Sequence, residues 1–347
     1  MDFFGDIFGN ERQKSFFEAL IREGKLSHAY ILEAPTGGGK KMFALRTAAA
    51  LAAADDVLEE RDKKCRRILE GLSPDVRILS RGEDGKKTIG VDAVRDFTAS
   101  VYLAPSELGF QFYIFDEADR ITPQAQNALL KIVEEPPRNV YLFLLCENAL
   151  SLLTTVRSRA QKVSLQVFDE SALADYARRV KLSGADDAAK LGFAVRMANG
   201  AIGRLRTILE NGESEFAAYS AAKQAVEGQA MKGRGISYYE FLKRICDFVQ
   251  TREALEALTG YLLSAYGDIA RARCTEEAPP VFFSEDEVRR YAMTFDTGSI
   301  VKSFDAVNSV KGDLRFNPNL SLAAGALESG LIGKTFLIPC VRLCESG

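Results

Sequence analysis

Asp116 and Glu117 follow directly on the apolar run Phe112-Tyr113-Ile114-Phe115. That run is too short for a helix and suits a strand buried on both faces. Two carboxylates are thereby placed at the carboxyl end of a strand, where open α/β sheets bind ligands. Paired acids there can hold Mg²⁺ and polarise a water beside a nucleotide phosphate. The plainer reading is a strand that stops at its first charges. A second stretch bears on the same chemistry. Ala29-Tyr30-Ile31-Leu32 reads as a short buried strand, followed by Ala34-Pro35-Thr36-Gly37-Gly38-Gly39-Lys40-Lys41 and a helix over about Met42–Ala54. Strand, glycine-rich loop, helix is the setting of a phosphate-binding loop. Gly37 and Gly39 would let backbone N–H groups face phosphate oxygens, and Lys40 would supply a point charge. The match to GxxxxGK(S/T) is incomplete, because Ala34 stands where glycine is needed and Lys41 where a hydroxyl is needed. That hydroxyl ordinarily binds Mg²⁺, and a second cation there repels it. The plainer reading of the loop is a flexible turn with two solvated lysines.

Each of these groups needs a scaffold, and the flanking pattern supplies one. Asn10 is placed to cap a helix over Glu11–Glu23 that Gly24 closes. Asp55–Lys64 reads as charged loop, Cys65–Leu72 as a short helix, Val76–Leu79 as a strand and Gly82–Lys87 as a polar turn. Val91–Tyr102 reads as an amphipathic helix. Pro123 suits the first turn of a helix through Glu134, which Pro136-Pro137 ends. Val140–Cys146 and Val163–Leu165 are further strands. Strands alternating with helices predict a mainly parallel α/β sheet covered on both faces. Beyond about Gln166 the pattern is all-helical. Helices are expected over Glu170–Lys181, Ala185–Ala198 and Ile202–Glu210, with turns at Gly200 and Gly212. More follow over Tyr238–Gln250, Glu253–Ala272, Glu285–Thr294, Ser299–Val310 and Asn319–Glu328.

Composition sets outer bounds. The chain has 347 residues, enough for two or three domains, and is 47% hydrophobic and 27% charged. A net charge of −3 means that any nucleic-acid contact needs a local patch. Cys65, Cys146, Cys246, Cys274, Cys340 and Cys344 are scattered without a CxxC pair, which fits a reducing compartment. The first residues carry no basic, apolar leader pattern, and no apolar run reaches the roughly 20 residues of a membrane span. A cytoplasmic protein without membrane contact is expected.

Several segments, in order and at characteristic spacing, resemble one family. They are FGDIFGNE at Phe4–Glu11, LSHAYIL at Leu26–Leu32, the glycine loop, SPDV at Ser73–Val76 and IGVDAVRDF at Ile89–Phe97. DEADRIT at Asp116–Thr122, QNALLKIVEEPP at Gln126–Pro137 and RSRAQ at Arg157–Gln161 complete the series. Together they are similar to the AAA+ clamp loaders: bacterial DNA polymerase III gamma/tau and delta-prime subunits and, more distantly, replication factor C. The resemblance is strong over residues 1–165, fair through the next helices and weak in the tail. It implies an AAA+ core over 1–166, a helical lid over 167–211 and a helical collar over 212–347. It also implies a five-subunit open ring with gamma/tau and delta as partners, which loads a sliding clamp at primer–template DNA. In the family, a neighbour completes each ATP site with an arginine from a serine-arginine-cysteine motif. Here that motif is Ser158-Arg159-Ala160, which makes Arg159 the expected arginine finger, with Ser158 beside it.

The departures from the family pattern point one way. Lys41 spoils the Mg²⁺ position of the loop. The sensor-1 position falls at Glu147 or at Asn148, and a carboxylate there would repel a γ-phosphate. The sensor-2 arginine position of the lid holds Gly203; Arg204 is adjacent but about 100° round the helix. A delta-prime-type stator without intrinsic ATPase activity, within a DNA-directed DNA polymerase holoenzyme, is therefore expected. Asp116 and Glu117 would be remnants of Mg²⁺ and water chemistry, with Lys40 or Lys41 paired to Asp116. No cofactor is expected to be required, and ATP with Mg²⁺ at the degenerate loop is left as an open question. The family's four-cysteine zinc module is represented by Cys65 alone, so no zinc is expected. An active gamma/tau-type ATPase, and a nucleotide-binding scaffold outside replication, stay open as alternatives.

Overall fold

Five strands form one wholly parallel sheet in the computed structural model, in the order β2-β3-β4-β1-β5. The structure describes residues 3–54, 58–80, 88–230, 249–274, 280–314 and 319–332. The strands are β1 Ala29–Glu33, β2 Val76–Leu79, β3 Gln111–Phe115, β4 Val140–Cys146 and β5 Gln161–Ser164. Between them run α1 Glu11–Arg22, α2 Lys40–Ala54, α3 Leu58–Leu69, α4 Val91–Thr98, α5 Pro123–Glu134 and the one-turn α6 Thr154–Arg157. Apart from Gln111 at the start of β3 and Glu33 at the end of β1, the central strands are apolar because both faces are covered. Tyr30, Leu32, Phe112, Ile114, Phe143 and Leu145 point into one core with Phe17 of α1 and Phe43 and Ala48 of α2. The alternate residues Ile31, Tyr113, Phe115, Leu142 and Leu144 meet Val94 of α4 and Leu129 and Ile132 of α5. Aromatic rings organise the first face, with Phe112 stacked on Phe143 at 4.9 Å and Phe17 edge-on to Phe43 at 5.2 Å. Each fully buried ring of this kind contributes about 1.5–3 kcal/mol.

One polar group is built into this core at the foot of the sheet. Asp75 is buried just before β2 and accepts backbone N–H bonds from Ser106, Glu107 and Leu108 at 2.7–2.8 Å. A carboxylate with three donors is well satisfied, so it fixes the chain's entry into β3.

The chain folds into two compact units, Met1–Leu173 with Ala198–Leu205 and Ala174–Met197 with Arg206–Gly347. The helices after the sheet are α7 Glu170–Val180, α8 Ala188–Met197, α9 Ile202–Asn211 and α10 Glu213–Ala230. Further helices, Arg252–Cys274, Glu285–Thr294, Thr297–Asp313 and Leu320–Ile332, follow. Within the second unit Phe193 packs on Tyr219 at 4.6 Å, and Tyr219 on Phe282 at 4.6 Å. There the device at Asp75 recurs. Asp268 is buried and accepts N–H bonds from Val281, Phe282 and Phe283.

Several expectations need correcting. Asp55–Lys64 is not loop throughout: α3 begins at Leu58, and its many charges lie on a helix with Ile68 buried at its far end. Val91–Tyr102 divides into α4 and a 3-10 turn at Ala99–Tyr102. A helix not expected from the sequence, α10, follows Gly212 at once. Asn10 stands at the start of α1 but does not cap it. Its backbone is left-handed (φ 60°), and its side-chain Oδ1 instead accepts the Gln166 N–H at 2.7 Å. The turn expected over 82–87, the helix expected over 238–250 (up to residue 248) and Asn317-Pro318 lie outside the described residues. Among the described residues no helix is long and apolar enough to cross a membrane.

Candidate functional site

The glycine loop leaves the carboxyl end of β1 and ends where α2 begins at Lys40, so both lysines belong to the first turn of a helix. Gly37 and Gly39 take positive φ, 77° and 83°, which glycine adopts without strain. The loop's immediate neighbours in the sheet are the ends of β4 and, one strand further, β3. Parallel topology therefore brings Lys40, Lys41, Asp116 and Glu147 to one rim.

Within that rim the charges are matched among themselves. Lys40 turns back on its own loop, with Nζ donating to the carbonyls of Ala34 at 2.6 Å and Pro35 at 3.0 Å. Burial lowers its pKa, against the opposing pull of Glu147, Cys146, Asp119 and Asp116. Lys41 Nζ lies 3.9 Å from Asp116 Oδ2, one of the two pairings the sequence left open. Asp116 Oδ1 also accepts the Glu117 N–H at 3.1 Å. Glu117 sits at φ 55°, the start of a 3-10 turn over Ala118–Arg120. Glu147 accepts a hydrogen bond from the Thr36 hydroxyl of the loop, and its own N–H reaches Asp119 Oδ1 at 3.4 Å. Asn148 does something else. Its side chain accepts the Leu150 N–H at 2.8 Å and caps the following turn. Of the two sensor-1 candidates, Glu147 is therefore the one that touches the loop. Beneath them, burial pushes the Cys146 thiol up to about 12, so it is an inert core group.

The start of α9 closes the rim. Gly203 N–H donates to Gly37 O at 2.8 Å. A Cβ on Gly203 would stand 2.7 Å from that oxygen, and one on Gly37 would stand 2.6 Å from the Arg204 nitrogen. Main chain thus meets main chain, and the glycine at each side permits it. Arg204 contributes its backbone to this contact while its residue as a whole is exposed.

These residues do not fit an Mg²⁺–nucleoside triphosphate as they stand. The hydroxyl position of the loop carries a cation paired to the acid that would hold the metal. Glu147 sets a carboxylate against Thr36 of the loop, where it would repel a phosphate. Among the described residues no group of three or more His, Cys, Asp or Glu is arranged to hold a metal ion. Cys65 lies on α3 with Sγ toward Ala49 O at 3.4 Å, packed against the core.

Arg159 is presented by different elements. After α6 the chain turns through Ser158, and Arg159 reaches the last residue of α5. Its Nε meets Glu134 Oε1 at 3.0 Å, and Nη1 donates to Thr155 O at 3.0 Å and Ser158 Oγ at 3.2 Å. Arg157 is instead turned onto its own helix, donating to Leu152 O and the Thr154 hydroxyl. Arg159 keeps 40% of its side chain exposed.

Gln126 links the two regions and was not singled out from the sequence. It is buried; Nε2 donates to Ile121 O at 3.0 Å and Oε1 accepts the Leu153 N–H at 2.7 Å. It ties the segment after Asp116-Glu117 to the one that leads into α6. Its signal was present, since a glutamine shares the helix face of Leu129 and Val133. Glu134, Thr36 and Asp119 were missed as well, because their partners lie far away in sequence.

A family model described as "DNA polymerase III, delta subunit" matches residues 9–169. DNA polymerase III subunit tau of Bacillus subtilis (strain 168) is 31% identical over 174 residues, 49% of this chain and 30% of that protein. Subunit delta' of the same organism is 30% identical over 171 residues, 48% of this chain and 51% of that protein. Subunit delta' of Yersinia pestis is 41% identical over 95 residues, 27% of this chain and 28% of that protein. The chain thus spans about half or less of the length of each of these curated relatives. The matched region contains the parallel sheet, the glycine loop, Asp116-Glu117 and the Ser158-Arg159 segment. Over that core the chain is similar to clamp-loader subunits of DNA polymerase III.

Proposed function

We propose that this chain is a clamp-loader subunit of DNA polymerase III, of the delta-prime type: a stator that does not turn over ATP itself. It works beside gamma/tau and delta subunits in loading a sliding clamp onto primed DNA, and it offers Arg159 to the ATP site of a neighbour. The observation that carries this reading is Lys41 Nζ 3.9 Å from Asp116 Oδ2, a cation at the loop's hydroxyl position beside the acid that would hold Mg²⁺. Glu147 beside Thr36 supports it, since a carboxylate against the loop opposes a terminal phosphate. The exposed guanidinium supports the second half. A finger must leave its own subunit, and Arg159 is partly exposed whereas Arg157 is folded back.

Turnover decides the matter. The purified chain alone is expected to show no ATP hydrolysis above background, with or without Glu117→Gln. The complex reconstituted with gamma/tau and delta partners is expected to hydrolyse ATP, and Arg159→Ala is expected to cut that rate by roughly 10³ while assembly is kept. Hydrolysis by the isolated chain that Glu117→Gln abolishes would instead establish an active gamma/tau-type subunit. An unchanged rate in the Arg159→Ala complex would remove the finger role.

A further inference from the structure

Glu134 belongs to none of the glycine-loop contacts described above, yet its carboxylate meets the Arg159 guanidinium at 3.0 Å. We propose that Glu134 is a positioning residue that aims the Arg159 guanidinium. The proposal rests on the finger reading of Arg159.

The geometry carries the argument. Glu134 is the last residue of α5, and that helix is anchored in the core by Leu129, Ile132 and Val133. Arg159 sits on the short segment after α6, outside any helix or strand. The contact therefore tethers a side chain on a turn to a helix packed on the sheet. Three acceptors converge on the guanidinium: the Glu134 carboxylate on Nε, and Thr155 O and Ser158 Oγ on Nη1. An arginine has five N–H donors in a planar fork. Bonds at Nε and Nη1 fix the plane of that fork while part of it stays available, in keeping with the exposed 40% of the side chain. The end of α5 adds to the effect, since helix C-termini attract cations.

The pair is suited to holding without trapping. Glu134 and Arg159 are both about half exposed, at 45% and 40%, and exposed ion pairs are weak. Charge-assisted bonds from arginine to phosphate are stronger and geometrically matched to the same fork. A phosphate presented by a neighbouring subunit would therefore find the guanidinium already oriented. What Glu134 removes is the cost of ordering a long flexible side chain at the moment of reaction.

The test uses the reconstituted complex with sliding clamp and primer–template DNA, and reads kcat and KM for ATP separately. Glu134→Ala is expected to lower kcat by roughly 2–5-fold with KM unchanged, the size of effect an exposed pair can exert. Glu134→Gln keeps an acceptor oxygen at the same reach and is expected to recover most of that loss. The Glu134→Ala/Arg159→Ala double variant is expected to match Arg159→Ala alone, because Glu134 acts only through the arginine. A normal kcat in Glu134→Ala, in a complex that Arg159→Ala still impairs, would overturn this inference and leave the finger role standing. A raised kcat would overturn it too, since the acid would then be a restraint. An Arg159→Ala complex with full activity would overturn both.

Discussion

Gly203→Ala isolates the main-chain contact between the start of α9 and the glycine loop. The added methyl would stand 2.7 Å from Gly37 O and 3.3 Å from Gly37 Cα, where ordinary contact begins at 3.4 Å. The neighbour is backbone and cannot rotate away, so α9 and the loop must separate by about 0.7 Å. That displacement stretches the 2.8 Å Gly203 N–H bond to Gly37 O beyond a normal hydrogen bond. Its loss costs about 0.5–1.5 kcal/mol. The substitution also replaces glycine by alanine near the start of a helix, which returns up to about 1 kcal/mol. Global stability should therefore change by less than about 1 kcal/mol while the loop loosens locally. The assay is amide hydrogen exchange at matched pH, read over residues 34–41 and 199–205 and corrected for intrinsic rates, beside a denaturant melt of the same samples. Exchange in both segments should rise roughly 2–10-fold, following from that local cost, with an almost unchanged midpoint. ATP hydrolysis should stay absent, because Lys41 and Glu147 are untouched. Unchanged exchange in both segments would refute the reasoning, for it would mean that the main-chain contact does not hold the loop. Hydrolysis in the variant would refute it more strongly, since the closed loop would then be the sole barrier.

Two stability predictions accompany this one. Asp75→Ala removes the acceptor of three N–H donors, at exposed Ser106, half-buried Glu107 and buried Leu108, and is expected to cost about 1–3 kcal/mol in urea unfolding; a cost below about 1 kcal/mol would show that water replaces the carboxylate. Glu287 is expected to stabilise the helical unit in a pH-dependent way. Burial pushes its pKa up, but Lys223 and the Ser284 N–H outweigh that and hold it below its ordinary value of 4.5. A depressed carboxylate contributes stability above its unfolded pKa and loses it as pH falls through the folded one. Glu287→Gln should cost about 1 kcal/mol near neutrality, a figure reduced for partial exposure, and the gap to the parent should close on acidification. A gap that does not vary with pH would assign the effect to packing.

What was legible in the sequence was whatever burial or backbone rules impose locally. Val140–Cys146 could be bounded to the residue because a strand covered on both faces is apolar throughout and ends where polarity returns. The helix from Pro123 to Glu134 announced itself by a proline at its first position and two beyond its end. By contrast α10 was missed because its buried face is largely alanine, at Ala218, Ala222 and Ala225, and alanine carries little contrast with its surroundings. The start of α3 was hidden by charges that are compatible with an exposed helix and with a loop alike. In the site, the sequence revealed which groups had changed but left their partners undefined. Lys40 and Lys41 were equivalent candidates for Asp116 until the fold turned Lys40 back on Ala34 and Pro35. Glu147 and Asn148 were equivalent until one met Thr36 and the other capped a turn. Those choices depend on side-chain reach across the rim of a parallel sheet, which no local pattern encodes.

On the proposed stator reading, these internal pairings are what would keep such a core folded without a nucleotide. In a motor, the loop N–H groups, the lysine and the acids are arranged around a highly charged ligand; removing the ligand leaves like charges crowded in a partly dry rim. Here these groups have internal substitutes. Lys40 neutralises loop carbonyls, Lys41 faces Asp116, Thr36 occupies Glu147, and Gly203 N–H takes Gly37 O. None of these contacts need be strong, since exposed pairs contribute about 1 kcal/mol at most. Their effect is to compensate charges and donors at the rim that would cost more, left bare, than any one contact returns. The aromatic core on the two faces of the sheet then carries the stability, and it does so without reference to a nucleotide. On that reading, what the core presents outward is the Glu134–Arg159 corner, where a guanidinium is held by a helix end and stays partly exposed.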